Sequence, residues 1–399
     1  MPQISERAVR MPLSPIRKLA PLADEAKSRG VHVYHLNIGQ PDIRTPEVAL
    51  EALRNINRSV LEYSPSQGLA SYRKKLAAYY QHINVPVSAD DIIVTTGGSE
   101  ALLYAMLTCL NPGDEVILFE PAYANYLSFA TAAGVVVRSV MTRIDDGFAL
   151  QPVCEIEEFI NEKTRAILIC NPNNPTGYVY TREEMEELSR VVKKHDLFLI
   201  SDEVYREYVY SSTPFISAGE LSGIELNVVI VDSVSKRYSE CGIRIGAIVT
   251  RNKSVHDAVL KLCMARLSPP LLGQIVAEAS LDAPESYMNE VFTEYNERRQ
   301  CLIEGLNCIP GVLSPTSLGA FYTIARLPVD DAEHFCAWCL SDFEDQGETI
   351  MLAPAAGFYV TLGAGRDEVR IAYVLNKNDL RRSLEILAHA LEQYPGRKV

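Results

Sequence analysis

The chain has 399 residues, of which 47% are hydrophobic and 22% charged, an ordinary balance for a soluble globular protein able to bury a large core. Its formal net charge of −13 argues against nucleic acid as a partner, because binding a phosphate backbone needs a basic face, whereas a few local arginines still suffice for a small anion. At roughly 150 residues per domain the length predicts two or three domains, or one large and one small.

No charged, apolar and cleavage-site pattern opens the chain. A short arm, residues 1–15, precedes a helical pattern over 16–29 that Gly30 is placed to stop. Residues 31–38 alternate as a strand until Gly39-Gln40-Pro41-Asp42 breaks it, and 46–55 suits a helix with Pro46 in its first turn. The turn-rich Tyr63-Ser64-Pro65-Ser66-Gln67-Gly68 comes before a helix over 69–82.

From Asp91 the pattern becomes strand (92–96), tight turn (Gly97-Gly98-Ser99-Glu100) and apolar helix (101–110). Short apolar strands follow at 115–119, 135–140, 165–170, 197–201, 228–232 and 245–250, with helical patterns such as 182–195 between several of them. Near-continuous apolar strands alternating with helices predict an α/β fold with a mostly parallel sheet covered on both faces. Ligands bind such sheets beyond the carboxyl ends of the strands. The polar motifs stand at those ends: Gly97-Gly98-Ser99, Asn171 to Gly177, Asp202-Glu203 and Ser233 to Lys236.

After residue 284 the style changes: a long helical pattern (285–306), a loop through Gly311 and Pro315, a strand (321–325), a helix (331–343), a strand (368–374) and a last helix (379–393). This predicts a smaller α/β domain, 1–45 with 285–399, beside a large domain of 46–284. Nine cysteines are scattered, and Cys336-x-x-Cys339 has no second pair at zinc spacing, so no metal site is expected. No apolar run reaches the roughly 18 residues of a membrane span, and the expected compartment is the reducing cytoplasm.

Several stretches carry chemistry, and each has a plainer reading beside it. Val228 to Asp232 is a buried strand running into Ser233-Val234-Ser235-Lys236, with Arg244 beyond. It suits a lysine forming a Schiff base beside a gripped phosphate, though taken alone a solvated Ser/Lys turn is the plainer reading. The two glycines at 97 and 98 open a helix N-terminus to an anion, or merely make the turn. Asn171-Pro172-Asn173-Asn174-Pro175-Thr176-Gly177 is a rigid polar turn that can aim Asn174 at a ligand oxygen. Asp202 at a strand end can keep a pyridinium nitrogen protonated, with Tyr205 donating to a phenolic oxygen, or it can cap the next helix. Tyr123 can stack on a flat ring or simply pack. Arg370 interrupts an apolar strand, and a buried arginine needs an anion: a substrate carboxylate or an internal Asp or Glu.

Taken in order, Leu36-Asn37-Ile38-Gly39-Gln40-Pro41-Asp42, Tyr63-Ser64-Pro65, Gly97-Gly98-Ser99, Asn174-Pro175-Thr176-Gly177, Asp202 to Tyr205, Ser233-x-x-Lys236, Arg244 and Arg370 resemble the class I/II aminotransferases, pyridoxal-phosphate enzymes of the aspartate aminotransferase fold (fold type I), from about residue 10 to the C-terminus. The resemblance implies that Lys236 carries the cofactor as a Schiff base and, once released, moves the proton between substrate Cα and cofactor C4′. It gives Asp202 to the pyridine nitrogen, Asn174 and Tyr205 to the O3′ oxygen, Gly98, Ser99, Ser233, Ser235 and Arg244 to the phosphate, and Tyr123 to the ring face. Gly39 and Arg370 would hold the substrate α-carboxylate, with Tyr123 and Asn174 also facing the substrate. Tyr63 is similar to the tyrosine that reaches the partner subunit's phosphate, which implies a homodimer with shared sites.

The implied reaction moves an amino group from an amino acid, aspartate foremost, to 2-oxoglutarate by a ping-pong route. Aromatic or other neutral amino donors, and a same-fold C–S β-lyase, are the alternatives. A non-enzymatic effector module is disfavoured, because such regulators carry a basic DNA-binding segment and this chain is acidic. No position matches an established dicarboxylate clamp: Ser99 stands where some relatives have lysine and Cys263 where others have arginine. Arg266, Ser14 and Arg237 are the candidates left for a distal carboxylate.

Overall fold

The computed structural model describes residues 2–398; Met1 and Val399, the outer ends of the expected arm and of the last segment, lie outside them. In chain order the strands are β1 (His32–His35), β2 (Ile92–Thr95), β3 (Glu115–Glu120), β4 (Val136–Met141), β5 (Thr164–Cys170), β6 (Phe198–Asp202), β7 (Val228–Ser233), β8 (Gly246–Val249), β9 (Tyr322–Arg326), β10 (Glu348–Met351), β11 (Ala353–Pro354) and β12 (Glu368–Ala372). The central sheet has the order β2-β8-β7-β6-β5-β3-β4. Strands β3 to β7 pair in parallel, while β8 is antiparallel to both β7 and β2, so six strands share one direction. This is the expected mostly parallel α/β sheet.

The β-branched strands are buried because helices close both faces. Every residue of β2, β3 and β7 is buried. One core packs Ala101, Ala105 and Met106 of helix Gly97–Cys109 against Val229 and Val231. The opposite core packs Leu76 and Tyr80 of helix Ala70–His82, with Leu188 and Val192 of helix Arg182–His195, against Val228 and Ile230.

Two smaller sheets lie apart from it. Strands β11, β12 and β9 pair antiparallel, and β1 pairs in parallel with β10 through His32↔Glu348 to His35↔Met351. An early segment of the chain is therefore bonded to a late one. Strand β10 has no counterpart among the expected elements: its four residues are too short a run to show a period. The helix expected over 16–29 begins only at Ala20, with Pro21 in its first turn, where a missing N–H is harmless. Before it the chain turns, as Arg17 N and Lys18 N both donate to Ser14 O at 3.1 and 3.0 Å. Among the described residues no helix is long and apolar enough to cross a membrane.

Candidate active site

Shared strand direction gathers the site. The carboxyl ends of β2, β3, β5, β6 and β7 face one edge of the sheet, and β8, running the other way, brings its start there. A cavity of about 610 Å³ lies along this edge. Gly39, Gly98, Ser99, Tyr123, Asn174, Asp202, Tyr205, Ser233, Ser235, Lys236, Arg244 and Arg370 all line it.

Lys236 lies in the short helix Val234–Arg237 that β7 runs into, and Ser233 Oγ caps that turn by accepting from Ser235 N at 3.1 Å. The half-buried lysine amine donates to Gly39 O at 2.8 Å. Position 39 has to be glycine here, since a Cβ would fall 1.8 Å from Tyr322 Oη.

At one end of the cavity helix Gly97–Cys109 presents its N-terminus. A Cβ on Gly97, whose φ is +73°, would meet Arg244 Nη2 at 2.5 Å, and one on Gly246 would meet the Gly97 carbonyl carbon at 2.5 Å. The glycines thus let the helix end, the start of β8 and the arginine close on one point. Arg244, itself left-handed at φ +56°, is steadied by donating from Nη1 to Cys241 O at 2.8 Å. Ser233 Oγ donates to Ser235 Oγ at 2.8 Å beside it. Unpaired N–H groups, hydroxyls and a cation form a donor set suited to a phosphate.

Asp202 ends β6 and is buried, which pushes its carboxyl up to about 6, against the hydrogen bond from Tyr126 Oη at 2.8 Å, which pulls it down. A buried carboxylate facing a cavity suits a protonated ring nitrogen. Tyr205 Oη lies 3.1 Å from Tyr322 Oη and accepts from Asn174 Nδ2 at 3.5 Å.

Arg370, on β12, is buried with a relative exposure of 1%. Nη1 donates to Asn174 Oδ1 at 3.0 Å and Nη2 to Asn37 O at 2.6 Å, and Nε has no partner. Its guanidinium carbon lies 4.4 and 4.9 Å from the Tyr322 and Phe358 ring centres. Burial pushes its pKa down, and the phenols of Tyr322, Tyr205 and Tyr123 oppose that shift. Among the described residues no carboxylate pairs with it. An internal Asp or Glu is thus ruled out as its anion, and the cavity it faces is where one can bind.

Other expected residues lie elsewhere. Tyr63 does not line the cavity and is 77% exposed. Arg266 is not in the cavity lining either: Nε pairs with Glu100 at 3.3 Å and Nη2 donates to Val94 O at 3.2 Å, so it braces the start of helix Gly97–Cys109. Arg237 is buried on Asp232 at 2.9 Å and Glu207 at 2.6 Å. Ser14 does line the cavity, and so do Arg17, Tyr126, Cys170 and Tyr322, none of which belongs to the sequence motifs. Tyr126 had a signal, its three-residue spacing from Tyr123 at the start of a helix; Arg17 and Tyr322 had none.

The family described as aminotransferase class I and II matches residues 31–387. The chain belongs to the class I and II aminotransferases. An aspartate aminotransferase of Thermotoga maritima is 33% identical over 89% of this chain and 92% of its own. An aspartate/prephenate aminotransferase of Thermus thermophilus is 30% identical over 92% and 93%. The solved aspartate aminotransferase from Thermus thermophilus with maleate superposes with a TM-score of 0.89 at 29% identity, covering 98% of this chain and all of that one. An alanine aminotransferase from Pyrococcus furiosus gives 0.90 at 27% identity, with the same coverage. Aminotransferases of these classes work with pyridoxal phosphate. The anion cradle of Gly97, Gly98 and Arg244, the buried carboxyl of Asp202 and the amine of Lys236 fit that group, which needs a phosphate site, a partner for the ring nitrogen and a Schiff-base lysine.

Proposed function

We propose that this aminotransferase uses pyridoxal phosphate to move the amino group of an L-amino acid, aspartate foremost, to 2-oxoglutarate in a ping-pong reaction. The observation that carries the reading is the pairing of Lys236 with Arg370. An amine that donates to Gly39 O and a buried guanidinium that donates to Asn174 Oδ1, with no internal carboxylate, line the same cavity. The names of the two curated relatives above favour aspartate as donor.

Pyridoxal phosphate, when bound, supplies the electron sink that spreads negative charge away from the substrate Cα. Ser233, Ser235, Arg244 and the N–H groups at Gly98 and Ser99 would hold its phosphate, Asp202 its protonated ring nitrogen, Asn174 and Tyr205 its O3′, and Tyr123 its ring face. Arg370 grips the substrate α-carboxylate with its planar fork, Gly39 and Asn174 beside it, and so fixes where Cα lies. With the cofactor bound, the amine of Lys236 would act as the acid–base that moves the proton between substrate Cα and C4′. Its resting partner, Gly39 O, accepts a hydrogen bond from it and holds the amine in reach of the cavity.

The working unit in this reading is a homodimer with shared sites. Tyr63, 77% exposed, follows Val60 and Leu61 at 66% and 62%, an apolar run that a partner subunit would cover, bringing Tyr63 to the partner's phosphate. Residues 46–284 form the larger, cofactor-holding domain, and 1–45 with 285–399 the smaller one that carries Arg370. Nine unpaired cysteines favour a reducing cytoplasm.

Two measurements test the assignment. Lys236→Ala abolishes both the visible absorbance of the bound cofactor and turnover; full activity in that variant overturns the reading. With aspartate alone, the wild-type spectrum moves to that of the pyridoxamine form, whereas pyruvate release with an unchanged spectrum marks a β-lyase instead.

A further inference from the structure

Four cationic side chains line the cavity: Lys236, Arg244, Arg370 and Arg17. The first three serve the Schiff base, the phosphate and the α-carboxylate, and Arg17 has no such task. Among the described residues it forms no ion pair, whereas its neighbour Lys18 is tied to Glu333 at 2.5 Å. The other two arginines considered for a distal carboxylate are occupied, Arg266 on Glu100 and Arg237 on Asp232 and Glu207.

The position of Arg17 is built, although its side chain is exposed. The turn at Ser14 places it, and Ile16 O accepts from Asn37 Nδ2 at 2.7 Å. The carbonyl of the same Asn37 accepts from Arg370 Nη2 at 2.6 Å. A single buried residue therefore ties the peptide before Arg17 to the guanidinium of Arg370 and sets one cation relative to the other. The charge of Arg17 also reaches the cavity wall: it lowers the pKa of the Tyr123 phenol, which burial pushes up to about 12.

We propose that Arg17 is a specificity-determining residue that binds the side-chain carboxylate of a dicarboxylic substrate whose α-carboxylate is held by Arg370. The inference rests on the proposed role of Arg370. With a neutral side chain in the site Arg17 stays hydrated and neither helps nor hinders; with an acidic one it gains a charge-assisted hydrogen bond. The hydroxyl of Ser14, on the same cavity wall, adds a donor.

Succinate and butyrate have the same number of carbons and differ in the second carboxylate. Their binding to the cofactor-loaded wild-type, Arg17→Met and Arg17→Lys enzymes, measured by titration calorimetry, tests the proposal. Arg17→Met is expected to weaken succinate by about tenfold or more and butyrate by no more than about twofold, with Arg17→Lys recovering most of the loss. In turnover, kcat/KM for aspartate falls in Arg17→Met while that for alanine holds. Failure of the wild type to prefer succinate, an unchanged succinate affinity in Arg17→Met, or equal losses on both ligands each overturns the proposal. An Arg17-dependent succinate preference in an enzyme that does not transaminate supports Arg17 and sinks the reaction assigned to the site.

Discussion

Tyr126 Oη donates to Asp202 Oδ2 at 2.8 Å, joining the helix Asn125–Ala133 after β3 to the end of β6 at the floor of the cavity. In the proposed reading a ring nitrogen needs Asp202 ionised, and burial works against that, holding it at about 6. An unfolded aspartate ionises near ~3.9. In the cofactor-free protein the folded state thus binds the extra proton between these values. This group's contribution to stability is full below the unfolded pKa and is lost as pH rises to about 6.

Tyr126→Phe removes the hydrogen bond that pulls Asp202 down, so its pKa rises further. Cofactor binding by the apoprotein should then be about tenfold weaker near neutral pH, and the pH at which it strengthens should move upward. Spectrophotometric titration with pyridoxal phosphate across a pH series reads both. An unchanged pH profile would show that the tyrosine does not tune the carboxyl.

Asp232 behaves in the opposite way. Burial alone would raise its pKa, but Arg206 and Arg237 outweigh that and hold it at about 2. Its stabilising effect is present above the unfolded value and lost as pH falls towards 2. Asp232→Asn leaves two buried guanidiniums short of a counter-charge and is expected to cost about 3–5 kcal/mol in urea unfolding at neutral pH. The same variant should flatten the acid limb of the stability curve.

Gly39→Ala puts a methyl group 1.8 Å from Tyr322 Oη and 2.2 Å from its Cζ, so the loop at Gly39 and the Tyr322 ring must move apart, displacing the carbonyl that holds Lys236. A fall of about 100-fold in kcat/KM is expected. Adding Tyr322→Phe should not rescue it, because the ring carbon still clashes, whereas adding Tyr322→Ala should recover part of the loss.

Arg370→Lys keeps a charge but loses the fork that spans Asn174 and Asn37 and that, in the proposed role, also grips the substrate carboxylate. At about 2 kcal/mol or more for a buried charged hydrogen-bond partner, KM for the amino donor should rise by at least about 30-fold. The visible spectrum of the bound cofactor should stay as in the wild type. A spectral change in place of a KM change would assign Arg370 to the cofactor.

Much of this was legible in the amino-acid sequence. The strands from Ile92 to Val249 and the helix Arg182–His195 follow from hydrophobic period and cap residues, which act within a few neighbours of each position. The polar motifs at the strand ends could be read because a parallel sheet offers its ligands one edge, whatever the side-chain detail. Strand β10 was missed because its stability comes from pairing with β1, more than three hundred residues away.

By itself, then, the sequence determined the order and type of most elements and the group of residues at the mouth of the sheet, because turn chemistry and periodicity are local. Only the tertiary structure decided which arginines are free to meet a ligand. Arg237 and Arg266 looked as available as Arg370 and Arg17 along the chain, yet two are neutralised by Asp232, Glu207 and Glu100 and two are not. Charge pairing depends on distance through space, and no spacing along the chain encodes it.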